Sequence, residues 1–379
     1  MLAVRFPGPK LRALHIALPM LAALSLIAPS RAGALPLYAS REGKTCVSCH
    51  YDPNGGGMRN DFGFLYCKNR HGMDTERRWA NVTVDPRLNE WVAIGMDTRL
   101  LYIASHSQGG PTLSTSTFLP MQGQLNVAIT PHDYLTVVMS RGISIDPDAF
   151  TAREVYGLIH GLPHDLYAKL GRFRLPFGLR QDDHTSYVRS PFFLPYNSQA
   201  DDAGLEVGAA GSRYFGQLSF TNGSGTISAE RAQTFAGKVG LGGRRLAAGV
   251  SGFHQYRELV GTTQDRWGAY AMSTWEKLTL IGEYDGGTQE APVPVGGVRN
   301  LWAAFAELDY RAARGINVRG KIDYLEPDRG ASGDLYRRWL VEADFAPVPF
   351  TEVKLSFRNH NEEPLGEHRE YLVQFFFPF

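Results

Sequence analysis

Residues 369–379 read REYLVQFFFPF. Side chains alternate across a strand, so Tyr371, Val373, Phe375, Phe377 and Phe379 share one face. The same period-two pattern recurs upstream. In 315–325, Ile316, Val318, Ile322 and Tyr324 point one way, and Asn317, Arg319, Lys321 and Asp323 point the other. In 350–360, Val353, Leu355 and Phe357 oppose Glu352, Lys354 and Arg358. Charge confined to one face, with none on the other, is what a wall between lipid and a polar lumen requires.

Working outward from these segments, the chain beyond about Pro86 is built throughout of such runs. They are separated by Gly, Pro, Asp and Asn turns, and no helical periodicity competes with them. Sixteen are expected, at 90–104, 117–130, 133–143, 152–160, 165–172, 203–210, 213–221, 232–241, 244–254, 264–274, 277–284, 300–310, 315–325, 335–345, 350–360 and 369–378. Gaps after even-numbered runs are tight, as at Pro131-His132 and Gly242-Gly243, whereas gaps after odd-numbered runs are longer and polar. That asymmetry, with an even count, predicts an all-β transmembrane barrel of about sixteen antiparallel strands, with both ends on the short-turn side. A soluble sandwich has no reason to keep it through eight hairpins. The terminal aromatic face resembles the C-terminal signal by which outer-membrane proteins reach their insertion machinery.

Composition agrees. The 379 residues carry 39 Lys+Arg against 38 Asp+Glu, and their only extended apolar run lies at the extreme N-terminus. A multi-span helical membrane protein needs repeated runs of about 20 apolar residues, and a nucleic-acid binder needs a basic excess; both are excluded. Residues 1–34 read as an export signal. Arg5, Lys10 and Arg12 precede the apolar stretch 13–27, and Ala32-Gly33-Ala34 supplies a small-residue cleavage site. Its removal takes away Arg5, Lys10, Arg12 and Arg31 and no acid, so the formal charge falls from +1 to −3.

Residues 35–86 open with Cys46-Val47-Ser48-Cys49-His50. In an exported chain this pattern reads as covalent attachment of one haem c. Two thiols three apart meet the two vinyl groups, and the adjacent His50 reaches the iron. A thioredoxin-like site would need a βαβ context, and a zinc site a second ligand pair; neither is present. Cys67 is left over and reads as a small buried residue beside Leu65 and Tyr66. His71 is the expected second axial ligand, because it follows Phe62, Phe64 and Tyr66, which would wall the haem. Met58, Met73 and an open position are the alternatives.

The connection from about Phe173 to Asp202 is too long for an ordinary turn and too apolar for disorder, with Phe173, Phe177, Tyr187, Phe192, Phe193 and Tyr196. The lumen is the surface it would fill. Its segment 171–178, GRFRLPFG, resembles the entry to the constriction loop of phosphate-selective porins. That resemblance implies an anion-attracting eyelet lined by Arg174, Arg180 and Arg189. The other reading of these arginines is pairing with Asp182, Asp183 and neighbouring acids.

Taken together, the haem motif, the Asn60-Asp61-Phe62-Gly63 element, the sixteen-run pattern and Phe379 resemble the fused monohaem cytochrome-porins of the outer membrane, of the iron-oxidiser type. The resemblance implies a small N-terminal α-helical c-type haem domain (35–86) on the periplasmic side or in the lumen of an outer-membrane barrel (87–379). It also implies electron transfer between an extracellular redox partner, ferrous iron among them, and periplasmic c-type cytochromes. The stretch 52–57, DPNGGG, and the extra Cys67 depart from that pattern. Sixteen tilted strands give a cylinder roughly 32 Å across, and some fifty residues have a radius of gyration near 10 Å, so such a domain can plug the lumen. The competing expectation is an anion-selective porin in which that domain is a structural plug or redox gate. No hydrolase, metalloprotease, P-loop or dinucleotide motif appears. His106, His132, His164, His184, His254 and His360 are expected in turns or loops, solvated.

Thioether attachment needs both motif thiols. Cys46→Ala and Cys49→Ala should each abolish haem staining on a denaturing gel, whereas Cys67→Ala should leave it intact.

Overall fold

The computed structural model describes residues 37–73, 85–108, 115–142, 152–190, 201–223, 232–243, 245–258, 261–291, 296–363 and 366–379. The expected export signal, and Phe192, Phe193 and Tyr196 of the long connection, lie outside them. Sixteen strands form where sixteen were expected. They are β1 (Val92–Gln108), β2 (Thr115–His132), β3 (Leu135–Gly142), β4 (Ala152–Ile159), β5 (Leu166–Arg174), β6 (Asp201–Ala210), β7 (Tyr214–Thr221) and β8 (Ala232–Gly242). The series continues with β9 (Leu246–Arg257), β10 (Thr262–Trp275), β11 (Leu278–Glu290), β12 (Val298–Ala313), β13 (Ile316–Glu326), β14 (Tyr336–Phe345), β15 (Glu352–Glu362) and β16 (Gly366–Pro378). Each pairs antiparallel with its sequence neighbours, and β1 pairs with β16 to close the barrel.

Closure runs to the last residue. The Phe379 N–H donates to the Met96 carbonyl at 2.7 Å, and the Met96 N–H donates back at 2.8 Å. Connections after even strands span two to six residues, and those after odd strands three to twenty-six.

The two faces separate as the alternation requires. On β13, Val318 and Ile322 are exposed, while Asn317, Lys321 and Asp323 are buried inside. On β16, Tyr371, Phe375 and Phe377 face outward. The expected run 277–284 stops six residues short of the strand: β11 continues through Asp285, Gly286 and Gly287, residue types that elsewhere separate the runs, to Glu290. The glycines serve close approach instead: a Cβ at Gly287 would run into the Asp265 carbonyl, and one at Gly286 would lie 2.7 Å from the Trp267 ring.

The N-terminal segment contains two six-residue helices, α1 (Leu37–Glu42) and α2 (Asp61–Tyr66), a 3-10 turn at Cys46–Ser48 and a π-turn at Cys67–His71. It lies against the inner wall on many sides. Ser40 meets Thr274 of β10, Arg41 meets Asn317 of β13, Asn54 meets Glu206 of β6, and Arg59 meets Asp97 of β1. At the short-turn end the Met73 N–H donates to Ala346, and the Phe64 ring sits 4.9 Å from Phe350 and 5.6 Å from Phe379. The helical part expected at 35–86 amounts, among the described residues, to these two short helices, packed inside the barrel. Leu37 and Met58 are buried among barrel residues rather than among one another, because a few dozen residues are too few to enclose a core of their own.

Substituting an outward residue near the middle of the wall should destabilise the barrel in proportion to its depth in lipid. Ile322→Arg is expected to cost about 2–4 kcal/mol in equilibrium unfolding from lipid vesicles.

Candidate functional site

The Cys46–His50 turn is held by its own backbone: the Cys49 and His50 N–H groups both donate to the Cys46 carbonyl at 3.0 Å. Asn60 ties it to the next helix. Its backbone N–H donates to Cys49, its amide Nδ2 donates to the Val47 carbonyl at 2.9 Å, and its Oδ1 caps α2 by accepting from the Gly63 N–H at 3.1 Å. Gly63 sits against the Cys49 carbonyl so closely that any Cβ would collide with it. The Asn60-Asp61-Phe62-Gly63 element is therefore the clamp on the cysteine turn.

Gly55, Gly56 and Gly57 all hold φ between 59° and 82°. That left-handed run favours glycine, and it swings Asp52 into the wall. There Asp52 accepts from Lys169 Nζ of β5 at 3.0 Å, and Lys169 also contacts Glu206 at 3.0 Å. All three side chains are essentially sealed from solvent. Lys169 and Arg180 outweigh burial at Asp52 and hold its carboxyl below the usual range.

Between this segment, the long loop and the wall lies a cavity, part of it open to solvent. Cys49, His50, Arg59, Cys67 and His71 line it, with Arg180, Asp182 and His184 from the loop and Glu352 and Lys354 from β15. His50 and His71 thus face one space. Each keeps a buried ring nitrogen, His50 Nδ1 and His71 Nε2, without a hydrogen-bond partner among the described residues. The nearest carboxylate to His71 Nε2 is Glu352, at 3.6 Å, too long for a hydrogen bond. Burial and the neighbouring Arg59 and Arg180 lower His50 to about 4, so its imidazole is neutral near pH 7, the form that ligates metals. Met58 is buried in the wall cluster and Met73 lies against Gly315 at the barrel end; neither lines the cavity. Cys46 borders an adjoining pocket with Lys238 and Tyr270, which shares Arg180 with the larger one. Its burial pushes the thiol up to about 11.

The long loop folds inward, with Leu175, Phe177, Leu179 and Val188 buried. Its arginines meet carboxylates: Arg174 meets Asp201 at 2.6 Å, Arg180 meets Asp52 at 3.0 Å and Glu154 at 3.3 Å, and Arg189 meets Glu283 at 2.8 Å and Asp285 at 3.4 Å. The loop acids reach different partners. Asp182 pairs with Arg99 and Lys354, and Asp183 with Lys321 and Arg338. Arg174, Arg180 and Arg189 therefore bring their charge into a compensated network. No sequence signal linked Lys169 to Asp52, since 117 positions separate them. Nor did any place His360 correctly: it is buried on β15, not solvated in a turn. His106 and His254 are also on strands rather than in turns, both exposed.

Fold and site define a closed sixteen-stranded barrel with an occupied polar lumen. Its solved structural neighbours are outer-membrane barrels. OmpT of Vibrio cholerae matches at TM-score 0.59 and 8% identity, over 78% of this chain and 100% of that one. An anion-selective porin from Comamonas acidovorans matches at 0.60 and 10% identity, over 76% and 100%, and OprB of Pseudomonas putida at 0.57 and 10%, over 82% and 99%. At such identities the likeness is one of fold. No family model and no curated protein matches.

Gly63→Ala should push α2 off the cysteine turn. The expected result is faster proteolysis of the N-terminal segment, with the barrel still migrating as folded on unheated gels.

Proposed function

We propose that this protein sits in the bacterial outer membrane and transfers electrons through one haem c. The haem would be attached to Cys46 and Cys49 and ligated by His50 and His71. The observation that carries this reading is that Cys49, His50 and His71 line one cavity inside the barrel, whereas Met58 and Met73 do not. Both imidazoles have a buried nitrogen free to ligate. When bound, the haem supplies reversible one-electron transfer.

The chain's own residues set the surroundings. His50 is held neutral by burial and by two guanidinium neighbours. The Glu352 carboxylate stands 3.6 Å from His71 Nε2 and places a negative charge beside that nitrogen. The wall encloses the cavity with charged and polar inward side chains such as Asp97, Arg99, Glu352 and Lys354, and the segment emerges at the short-turn end, which faces the periplasm in such barrels. Periplasmic c-type cytochromes would meet it there, and an extracellular donor or acceptor, such as ferrous iron, would act from the other end. A second reading, an anion-selective porin with this segment as plug or redox gate, is favoured by the likeness to the Comamonas porin.

His71→Ala should convert a low-spin spectrum to high-spin and change the potential. The wild type should lack a near-infrared methionine–iron band, and should be reduced by ferrous iron or a periplasmic cytochrome in separate titrations. Reduction by neither would overturn the electron-transfer reading. In planar bilayers the protein should conduct weakly; large anion-selective steps would establish the porin instead.

A further inference from the structure

His360 and Glu362 stand two apart on β15 and therefore share its inner face, and His368 of β16 pairs directly opposite His360. The donor atoms of these three side chains all lie within 4.8 Å of one another. The His360 and His368 rings stack at 4.1 Å, tilted by only 15°. His360 and Glu362 are each 7% exposed. This group is separate from the lumen cavity: His360 is eight residues along β15 from Glu352, about 27 Å at strand rise.

His360 Nε2 lies 3.2 Å from Glu370, which fixes the ring and leaves Nδ1 turned toward Glu362, 3.3 Å away. Carboxylates that orient a histidine through its other nitrogen are the usual support of a metal-binding imidazole. The Tyr187 hydroxyl of the loop donates to Glu362 at 3.0 Å and holds that carboxylate in place. The guanidinium opposite His360, that of Arg338 on β14, is neutralised by Asp323 at 2.8 Å and Asp183 at 3.5 Å. Arg358 lies 3.8 Å from Glu370.

We propose that His360, Glu362 and His368 bind one divalent first-row transition-metal cation at the long-loop end of the barrel, with Glu370 orienting His360. Two imidazoles and one carboxylate suit zinc-like ions and not calcium or magnesium, which take oxygen ligands. The fourth position is left to water.

The test is calorimetric titration of the full-length, detergent-purified protein with zinc chloride. The wild type should take up one equivalent that is lost in His368→Gln and in Glu362→Gln, and Glu370→Gln should weaken it about 10- to 100-fold. His254→Gln, at an exposed site elsewhere on the wall, should keep it. Each variant is first shown to retain the heat-modifiable migration of a folded barrel, and His368, the least buried of the three, tolerates substitution best. Zinc uptake of equal stoichiometry and affinity in the wild type, His368→Gln and Glu362→Gln would overturn the site, as would the absence of saturable uptake in the wild type.

Discussion

Charge balance inside the closed wall is the constraint on which the rest of this molecule depends. Alternation sends every second side chain of sixteen strands inward, and many of these are Asp, Glu, Lys or Arg with almost no exposure. An isolated buried charge costs far more than folding can supply. Lys169 is met by Asp52 and Glu206, Lys321 and Arg338 by Asp183 and Asp323, and Arg189 by Glu283 and Asp285. In the Lys321–Arg338 group the loop's Asp183 balances the excess cation of the wall, and in the Glu283–Asp285 group the loop's Arg189 offsets one of two wall carboxylates. Such pairs contribute little net stability against apolar alternatives, but they fix position strongly, because removing one partner leaves the other buried and unpaired.

Two inserts that carry little core of their own are thereby seated in defined places. The N-terminal segment is clamped by Asn60 and Gly63 around the cysteine turn, and it is docked by Asp52 to β5 and by Arg59 to β1. The loop, crossing from β5 to β6, covers the segment with Arg180 and reaches β13, β14 and β15 with its acids and Tyr187. What these inserts leave unfilled is the cavity between His50 and His71. The chemistry-bearing side chains thus collect at two levels of the barrel, the cysteine turn and His71 toward the short turns and the His360 group toward the long loops.

Strand number, strand faces, the side of the short turns and the inward course of the apolar loop were all determined by the sequence itself. These follow from a two-residue period and from turn chemistry, which are local. The Cys46–His50 turn is likewise local, its backbone hydrogen bonds lying within five consecutive residues. Partner choice belonged to the tertiary structure. Closure brings residue 52 to residue 169 and residue 187 to residue 362, and no local pattern records which inward charge will face which. The same holds for Gly286 and Gly287, a turn by composition but a close strand contact once Trp267 and Asp265 lie beside them. It holds for His360, solvated by default until β14 and β16 enclose it, and for the N-terminal segment, whose apolar residues find their core only in the barrel wall.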